Sequence, residues 1–247
     1  MTMKFGIADY GMNVWHGALY DTEERLEQLK GIAYDGLERL HATSPSDALL
    51  KSAAFKRMGM DFATCAGPSI EANIKWTAAL GKSYIWAQSS ATDFDVYCRQ
   101  VNDLTRAAAR YGVKVGLHNH LGAVVETQAQ LECFLQACPL SGLILDTGHL
   151  AAAGGDNLEI VRKYSQRLVA VHLKDWFETN PQAANWWERG RFCELGAGNI
   201  GQDNAAVLHA IANAGFDGWV FIEHDTHLRD PLIDLSVSRE YLRTAGF

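Results

Sequence analysis

The sequence predicts an α/β fold: a single (β/α)8 TIM barrel spanning 1–247. Three observations predict it. Short apolar runs without alternation, such as Leu143-Ile-Leu ahead of Asp146, suit strands buried on both faces, as in a parallel sheet wrapped by helices. These runs alternate with helix-length stretches at spacings of roughly 30 residues. The chain has 247 residues, and one such barrel takes about 250. A doubly wound sheet would want Gly-x-Gly-x-x-Gly after an early strand, whereas the first strand here runs into Asp9-Tyr-Gly-Met-Asn13.

The elements follow in order. Lys4 to Ala8 reads as the first strand and 10–20 as a loop carrying Trp15 and His16. Asp21 caps a helix with apolar positions at Leu26, Leu29 and Ile32. Gly36 to His41 is the second strand, and Ser44-Pro45 opens a helix to about Met58. Met60 to Ala66 is the third strand, with a helix to Leu80, and Ser83 to Gln88 is the fourth. Asp93 starts a long helix that Gly112 ends. Val113 to His118 is the fifth strand and Thr127 to Ala137 its helix. Leu143 to Asp146 is the sixth, with a helix from Asn157 to Gln166, and Leu168 to Leu173 is the seventh. A helix from Asn204 to Ala214, an eighth strand from Trp219 to Glu223 and a helix from Leu232 to Ala245 complete the ring. The longest connection, Lys174 to Gln202, carries Trp176, Trp186, Trp187 and Phe192, and reads as a lid or as an excursion packed on the rim.

Composition narrows the function. A hydrophobic content of 48% with 21% charged residues suits a soluble globular core. The net charge of −7 argues against nucleic acid or an anionic membrane as partner. Residues 1–9 lack a basic region followed by an apolar run, so no signal peptide is expected, and the five scattered cysteines suit reduced thiols in the cytoplasm.

The chemistry concentrates at three strand ends. Asp146, His172 and Glu223 each close an apolar strand, and in a parallel barrel that end carries the active site. A lone histidine there is usually a polar rim residue, but buried carboxylates at equivalent strand ends are costly without a partner. Together they would supply two carboxylates and one imidazole to one cation. A fourth ligand should come from strand five or its loop, His118-Asn-His120-Leu-Gly-Ala-Val-Val-Glu126-Thr127. Oxygen-rich ligation with one histidine favours Mn²⁺, with Mg²⁺ or Co²⁺ as alternatives, over a structural zinc.

Leu145-Asp-Thr-Gly-His149, Val171-His-Leu-Lys-Asp175, Glu194-Leu-Gly-Ala-Gly198 and Gly218-Trp-Val-Phe-Ile-Glu-His-Asp225 occur here in order. With the His-Asn-His segment, this set resembles the xylose-isomerase-like barrels, which include sugar isomerases and epimerases, inosose dehydratases and the distant endonuclease IV group. The resemblance covers the C-terminal half; the N-terminal half matches only in its rhythm. It implies Asp146, His172 and Glu223 as ligands and His149 as a substrate-contacting or supporting histidine. Many members place a glutamate where this chain has His118, so Glu126 is taken as the fourth ligand, with His118 or His120 as the fallback.

The resemblance implies a metal-dependent isomerase or epimerase of a sugar or related polyhydroxy carbonyl compound. Glu126 and Glu223 would move a proton through a metal-stabilised enediolate. His118, His120, Lys174, Trp15 and Arg191 are the expected substrate contacts. An inosose-type dehydratase is the alternative, with one of the histidines as leaving-group acid. A phosphodiesterase like endonuclease IV, or a sugar-binding barrel without catalysis, is more distant. Barrels of this kind commonly form homo-oligomers. Glu38 reads as either a mouth or a rim residue, and His16, His209 and His227 as surface.

Overall fold

The structure, a computed structural model, describes residues 3–19 and 21–247. Met1, Thr2 and Tyr20, the last residue of the loop expected over 10–20, lie outside the described residues. The barrel strands are β1 (Lys4–Ile7), β2 (Gly36–His41), β3 (Asp61–Ala66), β4 (Tyr84–Trp86), β5 (Lys114–His118), β6 (Gly142–Asp146) and β7 (Leu168–Leu173). A hairpin of β8 (Asp175–Glu178) and β9 (Gly190–Cys193) precedes the last barrel strand, β10 (Trp219–Ile222). All barrel ladders are parallel, in the order β3-β2-β1-β10-β7-β6-β5-β4. Strands β3 and β4 touch across the remaining seam, so the barrel is nearly closed.

Capping chemistry starts the surrounding helices where the sequence places it. Ser44 accepts from the Asp47 amide at 3.1 Å to open α3 (Pro45–Met58), and Gly59 ends that helix at φ 69°. Thr127 and Gln130 form a reciprocal capping box for α6 (Gln128–Ala137). Leu26, Leu29, Val101, Leu131, Phe134 and Leu208 turn inward and pack between the helical layer and the strands. Inside the barrel, Ala8, Ala63, Tyr84, Ile144, Ala170 and Phe221 form a second buried cluster. A Cβ on Gly6 would come within 2.9 Å of the Gly36 carbonyl and of the Phe221 ring.

Three local expectations are corrected. The segment expected as a loop begins with a short helix, α1 (Tyr10–Trp15). Its run is too brief to show a helical period, and docking sets it: a Cβ on Gly11 would overlap the His224 carbonyl. A helix also starts directly at the end of β6, α7 (Thr147–Ala152), because Asp146 accepts from the His149 amide at 2.8 Å and acts as its N-cap. The Lys174–Gln202 connection contains the β8–β9 hairpin and the short helix α9 (Trp186–Arg189). Asp175 ties its return path, accepting from the Gly196 amide at 2.9 Å, and Gly198 leaves room for that carboxylate where a Cβ would overlap it. This is why Lys-Asp and Gly-Ala-Gly belong together.

Candidate metal centre

Strand register brings the strand-end side chains together. Asp146 is paired with His172 across β6 and β7, and Leu173 with Ile222 across β7 and β10, so Glu223 follows one residue above. His118, at the end of β5, pairs with Ile144 and reaches across to β6. His118 Nε2 lies 3.2 Å from Asp146 Oδ2, and His172 Nδ1 lies 2.6 Å from Glu223 Oε2 and 3.9 Å from Asp146 Oδ2. His118, Asp146, His172 and Glu223 thus form one group whose ligand atoms all lie within 4.8 Å of one another.

Glu126, taken as the fourth ligand and second proton carrier, is not in this group. The loop after β5 turns at Gly122, φ 74°, and Glu126 stands beside the capping box, its amide donating to Gln130 Oε1 at 3.0 Å. The acid belongs to the approach to α6. The strand-end histidine stands in the group instead, flanked by Trp86, which stacks on it at 4.5 Å. Asn119 holds Asp146 from the same segment: its amide group donates to the Asp146 carbonyl at 3.0 Å and accepts from the Asp146 amide at 2.9 Å.

A second layer covers the group. Lys174, fully buried, places its ammonium 3.3 Å from Asp146 Oδ2, 3.2 Å from Glu223 Oε2, 3.1 Å from Asp225 Oδ2 and 3.0 Å from His149 Nε2. His120, His149 and Asp225 form a further cluster around it. The rings of His120 and His149 are 3.7 Å apart, and Trp186 and Phe192 from the long connection pack against His149. The aromatics of that connection therefore cover the barrel mouth, although Trp187 stays exposed.

The electrostatics follow from burial and from Lys174. Burial pushes the Asp146 carboxyl up, but the Lys174 ammonium and the nearby histidines hold it well below the carboxylate range; Glu223 is held down in the same way by Lys174 and His172. Burial lowers His172, yet Glu38 and Glu223 on its two sides raise it to about 10. His149 is kept neutral by burial and by Lys174. Asp225, desolvated and only partly offset by Lys174, rises to about 6.

These donors fit a divalent cation. Two carboxylates and two imidazoles converge without cysteine, and the Lys174 ammonium already bridges the same two carboxylates as a monovalent stand-in. Beneath them lies Glu38, fully buried, which accepts from Trp86 Nε1 at 2.7 Å and Tyr84 Oη at 3.1 Å and lies 3.1 Å from His172 Nε2. It is an interior residue rather than a mouth or rim residue. No sequence signal identified Trp86, Asn119 or Asp225 as neighbours of the group; Asp225 follows Glu223 by two residues and could have been included on that ground.

Trp15 is half-exposed on α1. Arg191 sits on β9 with its guanidinium over the Phe177 ring at 5.3 Å. His209 is exposed against Phe247, as expected of a surface residue. His227 is not: its side chain is 2% exposed and bonds Asp234 at 2.8 Å. No helix among the described residues is long and apolar enough to cross a membrane.

The sequence model of the xylose isomerase-like TIM barrels matches residues 9–244. The chain belongs to that family. Among curated relatives it is similar to the rhizopine catabolism protein MocC of Rhizobium meliloti, 29% identical over 63% of this chain and 52% of that protein. It is also similar to the inosose dehydratase of Lactiplantibacillus plantarum, 26% identical over 61% of this chain and 54% of that protein. The chain thus spans about half the length of these relatives. Two solved structures share the barrel. The probable 3-DHS dehydratase AsbF of Bacillus anthracis has a TM-score of 0.74 at 13% identity, covering 98% of this chain and 99% of that one. An L-ribulose 3-epimerase has a TM-score of 0.72 at 16% identity, covering 99% and 94%.

Proposed function

We propose that the chain is a divalent-metal-dependent dehydratase of a polyhydroxy ketone, with His118, Asp146, His172 and Glu223 holding the cation. The observation that carries this is the makeup of the mouth. The isomerase expected from two glutamates loses its second one, since Glu126 stands outside the group, while proton carriers crowd the opposite side. When bound, Mn²⁺ or a similar ion would supply charge stabilisation for substrate oxygens.

Elimination needs a base at the carbon next to the carbonyl and an acid at the departing hydroxyl. Glu223 is the base in this reading, its carboxylate kept ionised by Lys174 and His172. Lys174 Nζ donates to the leaving oxygen, so that water departs, and Asp225 and His149 hold its ammonium in place. Trp186 and Phe192 exclude solvent above them. Positioned acid–base groups of this kind contribute about 10²–10⁴-fold. Similarity to an inosose dehydratase supports the lyase reading. An epimerase or isomerase is the second reading, favoured by Lys174 and Glu223 lying 3.2 Å apart, close enough to serve as donor and acceptor of one exchanged proton.

A panel of inososes, ketoses and keto-glycosides with Mn²⁺, followed by proton NMR and mass spectrometry, tests this. The expected product is lighter than its substrate by one water. An isomer of unchanged formula from the preferred substrate would favour the second reading, and faster cleavage of a phosphodiester would sink both.

A further inference from the structure

Glu38 is a carboxylate with no contact to solvent at the centre of a barrel, and burying such a charge is expensive unless something needs it. Two hydrogen bonds, from Trp86 Nε1 and Tyr84 Oη, both to Oε1, fix its position. Arg39 Nε lies 3.9 Å from Oε2 with its guanidinium over the Trp86 ring. On its remaining side is the edge of the His172 ring. His172 Nε2 is buried, makes no aligned hydrogen bond among the described residues, and lies 3.1 Å from Glu38 Oε1 in a close ion-pair contact. The opposite nitrogen, Nδ1, faces Glu223 and Asp146.

We infer that Glu38 is a positioning residue for the metal centre: it keeps a proton on His172 Nε2 and so turns the Nδ1 lone pair toward the cation. The inference rests on the metal reading given above. A carboxylate 3.1 Å from Nε2 disfavours a lone pair there, because two lone pairs would face each other in a dry interior. Nδ1 also faces a carboxylate, Glu223 Oε2 at 2.6 Å, so each nitrogen favours a proton. A cation held by Asp146 and Glu223 would take the place of the Nδ1 proton alone, leaving Nε2–H to Glu38. Carboxylates behind metal-binding histidines act in this way, fixing ring orientation and tautomer, and their loss typically costs 10- to 100-fold in metal affinity. Tyr84 and Trp86 make the arrangement rigid, since both donors are consumed by the one oxygen that also faces the imidazole.

Glu38→Gln is nearly isosteric and tests this. The carboxamide oxygen can take the Oε1 position and keep Tyr84, Trp86 and His172, with the NH₂ in place of Oε2, so the substitution removes the negative charge behind His172 and leaves the contacts. Metal affinity is read by competition between the protein and a fluorescent chelator for Mn²⁺, with urea denaturation as the control for folding. The expected result is a loss of about 10- to 100-fold in affinity. Long-range ¹H–¹⁵N spectra of the zinc-loaded wild type should show His172 protonated at Nε2 and coordinated through Nδ1. A folded Glu38→Gln protein with affinity within about twofold of wild type would overturn the inference, since the typical loss is 10-fold or more. So would a wild-type His172 coordinated through Nε2. If the variant does not fold, the wild-type spectrum decides alone. A wild type that takes up no divalent ion would instead bring down the metal reading, and this inference with it.

Discussion

Replacing Lys174 with methionine separates its two roles, counter-ion and proton carrier. The ammonium lies 3.1–3.3 Å from carboxylate oxygens of Asp146, Glu223 and Asp225, and its side chain is 1% exposed. At an effective dielectric of about 20, each contact is a raw attraction of roughly 5 kcal/mol. Most of that only offsets desolvation, and removing one partner of a buried pair typically costs about 3–5 kcal/mol. Asp225, already raised to about 6, would take up a proton in the variant and hold the loss toward the lower figure. Lys174→Met should therefore lose about 3 kcal/mol, or about 10 °C in Tm, in EDTA-treated protein at pH 7. Saturating Mn²⁺ should narrow that gap by about half, because a divalent ion neutralises the same carboxylates without displacing an ammonium. Urea denaturation with EDTA and with Mn²⁺ measures both arms. Equal stability of variant and wild type in EDTA would refute the counter-ion argument. A gap unchanged by Mn²⁺ would refute the overlap between the lysine and the cation. On the dehydratase reading, the variant should retain metal and lose turnover.

Three further outcomes follow from the geometry. His118→Ala should lower Mn²⁺ affinity by at least about tenfold while Glu126→Gln leaves it unchanged; the reverse order by chelator competition would return Glu126 to the centre. Asp234 is pushed up by burial but held below its ordinary pKa by His227 and Arg229, so its contribution is present above the unfolded value of about 4 and fades as pH falls through the folded one. Asp234→Asn should cost about 1.5 kcal/mol at pH 7 and progressively less below pH ~4, by urea titration across pH; a constant difference would count against the ion pair. Gly36→Ala should destabilise by about 3 kcal/mol, because its Cβ would overlap the backbone carbonyl of Asp61, and a calorimetric Tm near wild type would show that β2 and β3 can part.

The barrel was legible because its determinants are local. Unalternating apolar strands, the caps at Asp21 and Ser44 and the helix start at Thr127 each act over a few residues, and they appear where the sequence places them. Asp146, His172 and Glu223 were legible for a related reason: an acid or histidine closing a doubly buried strand has few structural uses, and parallel register carries three such ends to one rim. Short helices such as α1 and α7 escaped because one or two turns show no period and form through contacts made elsewhere.

By itself, then, the sequence determined the strand–helix order and three of the four residues in the group. The tertiary structure decided the fourth. His118 and Glu126 lie eight residues apart on one segment, and only the turn at Gly122 and the cap at Thr127 carry the acid away while β5 holds the histidine 3.2 Å from Asp146. It also decided the places of Lys174 and Glu38, whose neighbours come from other strands: β6 and β10 for the lysine, β4 and β7 for the glutamate. Those distances depend on how the strands stagger around the closed ring, a property of all the strand pairings together that no single stretch of chain contains.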